Sequence, residues 1–303
     1  MAEARATAIV SSPPPAAVSV VGVSHHYVRP DQSLVSTLNN VSLEVRRGEL
    51  LCFLGPSGCG KTTLLNIIGG LVKPTSGEVR VNGKIVNGPS PQDIAFVFQE
   101  NTLFPWDTVL DNIKVALEFQ GVPVADRQAR AEEAIEAVGL NDFAHNYPHQ
   151  LSGGMKQRAS LARALALKTD ILLMDEPFAA LDEQTRMYLG EELSALLATT
   201  NKTIILVTHS LSEAVFLSDR IAVMTARPAE IKAMIDVNEA HPRDPAFMAS
   251  VRFADQRNEL YTLLRAEIEK TVGGFVGKAA ARARERRAAL GVVEGAVETE
   301  SKL

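Results

Sequence analysis

Cysteine is scarce in this chain of 303 residues, with only Cys52 and Cys59 present. Neither is placed for a disulfide staple or a metal site, which points to a reduced compartment. No apolar run approaches the roughly 18 residues that a membrane-spanning helix needs. The N-terminus has no basic stretch leading into an apolar segment and a cleavage site, so the chain is expected in the cytosol unless a partner recruits it. An excess of positive charge is also missing: 31 Lys and Arg stand against 36 Asp and Glu, a formal net charge of −5. That balance argues against bulk nucleic-acid binding, which needs a basic face. No internal repeat is visible, so the chain reads as one unit and not a tandem pair. What remains, 46% hydrophobic and 22% charged residues, is the composition of a globular protein with a substantial core.

Residues 1–17 are Ala- and Pro-rich without periodicity and read as a disordered leader. Val18 to Tyr27 and Val41 to Val45 read as antiparallel strands, and Glu78 to Val81 enters a hairpin turn at Asn82-Gly83. Short apolar runs at Leu50 to Leu54, Ile94 to Phe98, Ile171 to Met174, Thr203 to Val207 and Ile221 to Met224 are of buried-strand length. Helical patterns lie between most of them, including an insert at about 100–165 with helices at Val109 to Gln120, Asp126 to Val138 and Gly154 to Leu167, and a segment near Asp142 to Asn146. Apolar strands separated by helices predict an α/β fold with a mostly parallel sheet covered on both faces. The predicted α/β unit spans 18–240, a helical extension 241–272, and a frayed or disordered tail 273–303.

Gly55-Pro56-Ser57-Gly58-Cys59-Gly60-Lys61-Thr62, followed by Thr63, fits the G-x-x-x-x-G-K-[ST] pattern of a phosphate-binding loop, between an apolar strand and a helix. Its glycines allow successive N–H groups to face one anion, and the helix dipole adds positive charge there. Lys61 is expected to reach the terminal phosphates and Thr62 to take a place on Mg²⁺. A glycine turn before an ordinary lysine is the plain alternative. Met174-Asp175-Glu176-Pro177 places two carboxylates at the carboxyl edge of the sheet, where open α/β sheets bind ligands. Asp175 is expected to hold Mg²⁺ beside Thr62, and Glu176 to orient and deprotonate attacking water. Standing alone, such a pair would be solvated acids at a strand end. Leu151-Ser152-Gly153-Gly154-Met155-Lys156-Gln157-Arg158 offers a second anion site, with Ser152 as N-cap and two glycines that let a backbone approach.

These stretches, in this order, resemble the ATP-binding-cassette (ABC) family over roughly Val18 to Asp236. The resemblance implies a P-loop NTPase core with an N-terminal antiparallel β subdomain and a helical insert. It also implies head-to-tail dimers, each ATP lying between the phosphate loop of one copy and Ser152, Gly153 and Gly154 of the other. Tyr27 looks like the aromatic that stacks on adenine, with a strand-end core residue as the plain alternative. Gln99 looks like the glutamine that meets Mg²⁺ and the attacking water, and His209 like the histidine that contacts the γ-phosphate. Asp182 resembles the loop that meets the opposite subunit, where Ala180 stands in place of the serine of many relatives. Cys59 is expected to react with thiol reagents unless nucleotide is present.

Leu103-Phe104-Pro105-Trp106 is too apolar for an open loop and is either buried under the helical insert or part of a groove for a permease helix. Gln99 to Trp106, Met174 to Asp182 and Asp219 to Met224 with Arg227-Pro228 are most similar to the nitrate, sulfonate and taurine importers. That likeness implies transmembrane permease subunits, a periplasmic or extracellular solute-binding protein, and a place on the cytoplasmic face of the inner membrane. The alternatives are an importer of another small solute and a soluble ABC ATPase acting on ribosomes or nucleic acid. The cluster Lys278, Arg282, Arg284, Arg286 and Arg287 reads as a solvated helix face before it reads as a lipid contact.

Overall fold

The computed structural model describes residues 16–289 except 180, 200 and 201, so most of the expected leader, the end of the tail and Ala180 lie outside the described residues. In chain order its elements are β1 (Val18–Val28), β2 (Leu34–Val45), β3 (Leu50–Leu54), α1 (Lys61–Ile68), β4 (Ser76–Val81), β5 (Lys84–Ile85), β6 (Ile94–Val97), α2 (Val109–Phe119) and α3 (Val124–Ala137). They continue with α4 (Gly153–Leu165), β7 (Ile171–Asp175), α5 (Glu183–Thr199), β8 (Thr203–Thr208), α6 (Leu211–Leu217), β9 (Arg220–Met224), β10 (Ile231–Asp236) and α7 (Val251–Ala289).

The central sheet has the order β10-β9-β3-β8-β7-β6, parallel throughout except for β10 against β9. Strands β3, β7 and β8 are buried at every position, as unbroken apolar runs in a two-sided sheet must be. Their side chains divide by the period of two. Leu50, Cys52, Leu54, Leu172, Met174, Ile204 and Leu206 join the core shared with the helical insert, α6 and the start of α7. Leu51, Phe53, Ile171, Leu173, Ile205 and Val207 join the core beneath α1 and the antiparallel sheet β2-β1-β4-β5. That second sheet turns at Asn82 and Gly83, whose φ of 49° and 79° suit a two-residue hairpin.

Three expectations need correction. Ile231–Asp236 is a strand the sequence reading passed over; it forms the antiparallel edge of the sheet and is mostly half-buried, so no apolar run announces it. The segment near Asp142 is a single 3-10 turn, Asn141–Phe143, because Gly139 stops α3 at φ 63° and only a tight corner separates it from Pro148. The helix of the C-terminal extension does not stop before Gly273 but runs to Ala289; the Ala- and Arg-rich composition there has high helix propensity, which outweighs three glycines.

Candidate functional site

The phosphate loop joins the carboxyl end of β3 to the first turn of α1. Two of its glycines are required by space or by backbone. Gly60 has φ 132°, and a Cβ there would stand 2.9 Å from Leu38 Cδ2 and 3.1 Å from the Thr37 carbonyl. Gly58 has φ 71°. Lys61 is buried, and its Nζ donates to the carbonyls of Gly55 at 2.8 Å and Pro56 at 3.0 Å, which holds the ammonium inside the loop's curve.

From the neighbouring strand, Asp175 ends β7 with 5% of its surface exposed, and Thr62 Oγ1 donates to its Oδ1 at 3.1 Å. Burial pushes the Asp175 carboxyl above its ordinary range, with the Thr62 hydrogen bond working the other way. The next residue, Glu176, takes φ 46° while its N–H donates to the Val207 carbonyl at 2.9 Å. That left-handed turn at the strand end carries its carboxylate out over the sheet edge, where Glu176 Oε2 lies 3.1 Å from His209 Nδ1. Behind them, Thr208 Oγ1 donates to Glu213 Oε2, and burial raises the Glu213 carboxyl as well. Sequence positions 62, 175, 176 and 209 therefore meet in one place.

A cavity of about 410 Å³ opens there, lined by Ser57, Gly58, Gly60, Lys61, Thr62, Thr63, Gln99, Glu176, His209 and Arg227. Tyr27 stands beside it: its hydroxyl is 3.3 Å from Thr63 Oγ1, its ring packs edge-on against His25 at 4.6 Å, and 44% of it is exposed. Arg227 was not expected in the site. Its Nη2 donates to the Gly58 carbonyl at 2.5 Å across 169 residues, and nothing local in Ala226-Arg227-Pro228 announces that reach.

Ser152, Gly153, Gly154 and Asp182 are not among the residues lining the cavity. Ser152 caps α4, its Oγ accepting from Met155 N at 3.3 Å, and Ser152 and Gly153 are exposed. Asp182 caps α5 by accepting from Thr185 N at 2.9 Å, a bond that lowers its carboxyl below the ordinary range. Pro56, Cys59 and Gly55 belong to the loop but not to the cavity wall. Cys59 corrects an expectation: its side chain is 1% exposed and burial pushes its thiol up, so it is a packing residue and not a reactive thiol.

Among the described residues no group of three or more His, Cys, Asp or Glu is placed to hold a metal alone. The Thr62 hydroxyl and the Asp175 carboxylate are hard oxygen donors, the kind of partial set Mg²⁺ completes with phosphate oxygens and water.

The family model described as ABC transporter matches residues 38–179. An uncharacterized ABC transporter ATP-binding protein of Methanocaldococcus jannaschii is 48% identical over 238 residues, covering 78% of this chain and 88% of its own length. The taurine import ATP-binding protein TauB of Roseobacter denitrificans is 39% identical over 261 residues, 85% of this chain and 97% of its own. The nitrate import ATP-binding protein NrtC of Synechococcus elongatus is 42% identical over 234 residues, 76% of this chain and 35% of its own. Among solved structures, a dimeric ATP-binding cassette in a post-hydrolysis state, bound to ADP and Pi, aligns with TM-score 0.67 and 34% identity, covering 73% of this chain and 99% of that one.

Proposed function

Because this chain belongs to the ABC transporter family and is an ATPase of that kind, we propose that it is the ATP-hydrolysing subunit of a bacterial importer for a small anion such as nitrate, sulfonate or taurine. The observation that carries the reading is the convergence of Lys61, the Thr62–Asp175 pair and the Glu176–His209 pair on one cavity. Each group has a task that the others leave open. Lys61 and the loop amides bind the phosphates, and the exposed ring of Tyr27 offers a face to adenine. Thr62, Asp175 and Gln99 would hold Mg²⁺, which when bound neutralises phosphate charge. Glu176 takes the proton of the attacking water as its oxygen bonds to the γ-phosphorus and the bond to the bridging oxygen of ADP breaks. His209 holds the carboxylate in place and faces the same phosphate.

One chain presents only half of an enclosed site. Gly153 has open space where a Cβ would be, and Ser152 beside it is exposed at the head of α4. A second copy docked head to tail would bring that helix N-terminus to the γ-phosphate of the first, so that ATP closes the pair and hydrolysis reopens it. Trp106, 70% exposed and stacked on Phe104 at 5.5 Å, offers the face for a transmembrane permease subunit. Cargo would arrive through a periplasmic or extracellular solute-binding protein, and this chain would sit peripherally on the cytoplasmic side of the inner membrane with no nucleic-acid partner. In keeping with that place, no helix among the described residues is long and apolar enough to cross a membrane. The relatives named for taurine and nitrate import support the cargo class. The test is Glu176→Gln: ATP binding is retained, a stable dimer forms on ATP addition, and phosphate release falls by about a hundredfold or more. Near-normal turnover removes Glu176 as the base.

A further inference from the structure

We propose that Arg227 is a positioning residue of the phosphate loop and that Glu267, on the C-terminal helix, sets Arg227 in place, so that the extension behind the ATPase unit takes part in nucleotide binding. The inference rests on the ATPase reading of the site.

Arg227 Nη2 donates to the Gly58 carbonyl at 2.5 Å, at a residue whose φ of 71° lets the loop turn. A peptide group is planar and trans, so its C=O and the following N–H point in opposite directions. Drawing the Gly58 oxygen toward the guanidinium therefore turns the Cys59 N–H the other way, where it donates to the Pro56 carbonyl at 3.3 Å and closes the turn of the loop. Lys61 and Arg227 are the lysine and the arginine that line the cavity, and Lys61 is already engaged with the Gly55 and Pro56 carbonyls.

The segment carrying it is fixed from both sides. Ala229 N donates to the Thr37 carbonyl at 2.8 Å and Asn39 N to the Ala229 carbonyl at 2.9 Å, tying it to β2. On the other side Ala226 N, adjacent to the arginine, donates to Glu267 Oε2 at 3.1 Å. Glu267 is 1% exposed and receives Lys232 Nζ at 2.7 Å and Lys270 Nζ at 2.8 Å. Burial alone would raise this carboxyl; the bonds from the two lysines and from Ala226 N outweigh it and hold it at about 2. A buried carboxylate with that much support is a fixed anchor. It lies on α7, beyond the residues 38–179 that match the family model.

The experiment titrates a fluorescent ATP analogue, and measures kcat and KM for ATP, on the full chain and on Arg227→Ala, Arg227→Lys, Glu267→Ala and the double variant. Arg227→Ala is expected to weaken nucleotide binding about five- to tenfold and to raise KM in proportion, with kcat within about twofold. Arg227→Lys keeps the charge without the fixed reach of the guanidinium and stays about two- to threefold weaker than the parent. Glu267→Ala moves KM the same way by about two- to fourfold, and the double variant is no weaker than Arg227→Ala, because Glu267 acts through the arginine. Should Glu267→Ala fail to fold, Glu267→Gln is read by the same criterion. Unchanged affinity in Arg227→Ala, full recovery in Arg227→Lys, or additive losses in the double variant overturn the proposal. A parent chain that binds no ATP analogue would sink the ATPase reading itself, which is a different result.

Discussion

Replacing Asn112 with alanine probes the loop that presents Trp106. Asn112 is wholly buried at the start of α2, and the chain from Phe104 to Thr108 wraps around its amide. Oδ1 accepts from Phe104 N at 2.7 Å, and Nδ2 donates to the carbonyls of Phe104 at 3.1 Å, Asp107 at 3.1 Å and Thr108 at 2.9 Å. These four bonds do not weigh equally. The Thr108 carbonyl still accepts from Asn112 N, and the Phe104 carbonyl from Asp107 N, so both keep a partner in the variant. The Phe104 N–H and the Asp107 carbonyl lose the partner they have. One orphaned donor and one weakened acceptor give a cost of about 3 kcal/mol. For a chain of this size that is a fall in Tm of roughly 4–6 °C. Thermal unfolding followed by circular dichroism measures it. Binding of a fluorescent ATP analogue should stay within about twofold, since α2 contributes nothing to the phosphate cavity, while co-purification with the permease falls as the Phe104–Trp106 stack loses its support. Asn112→Asp keeps the acceptor for Phe104 N but sets a carboxylate against three carbonyls, so it should be at least as costly as alanine. A Tm within 1 °C of the parent for Asn112→Ala, or a milder effect for aspartate, would refute the account.

Trp106→Ala should leave ATP binding intact and weaken recovery of the permease with the tagged chain; an undiminished complex counts against that face as the docking site. Arg243, 3% exposed, donates to the carbonyls of Val215 at 2.6 Å, Phe216 at 3.0 Å, Ser218 at 2.8 Å and Glu239 at 3.1 Å, closing the C-terminus of α6. Burial lowers its guanidinium to about 10, yet it stays charged at neutral pH, and Arg243→Ala should cost about 3–4 kcal/mol in a urea titration because several buried carbonyls lose their donor. A midpoint equal to the parent's would show those carbonyls find other partners. Cys59 should label slowly with a maleimide in the presence and absence of ATP, and fast labelling that nucleotide suppresses would restore it as a reporter of the phosphates.

The parts of this molecule legible in the sequence are those whose chemistry needs neighbouring residues. A phosphate loop, an Asp-Glu strand end and a Ser-Gly-Gly helix start each fit within about eight positions, and apolar runs of strand length announce a two-sided parallel sheet wherever they fall. What stayed hidden acts across the chain. Arg227 reaches Gly58 over 169 residues. Arg243, within the stretch 241–272 expected as a helical extension, is in fact a buried cap on the C-terminus of α6. Asn112, a middling helix residue by propensity, organises the loop before it. The strand Ile231–Asp236 carries no solid apolar run because it is the antiparallel edge strand of its sheet.

The two glycines of the second anion motif show where the sequence and the fold each carry part of the argument. They are equivalent in the sequence. In the structure, a Cβ on Gly154 would stand 2.8 Å from Leu181 Cδ2, the tip of a side chain that would have to shift, whereas a Cβ on Gly153 would meet nothing within 4 Å. Packing within one copy therefore crowds position 154 and leaves position 153 unconstrained. A bare backbone kept open at the exposed head of α4, beside a serine whose hydroxyl already satisfies its own helix, is explained by a group that approaches from outside the chain. Under the proposed head-to-tail pairing that group would be the nucleotide held in the phosphate cavity of a second copy, whose lining residues include none from α4.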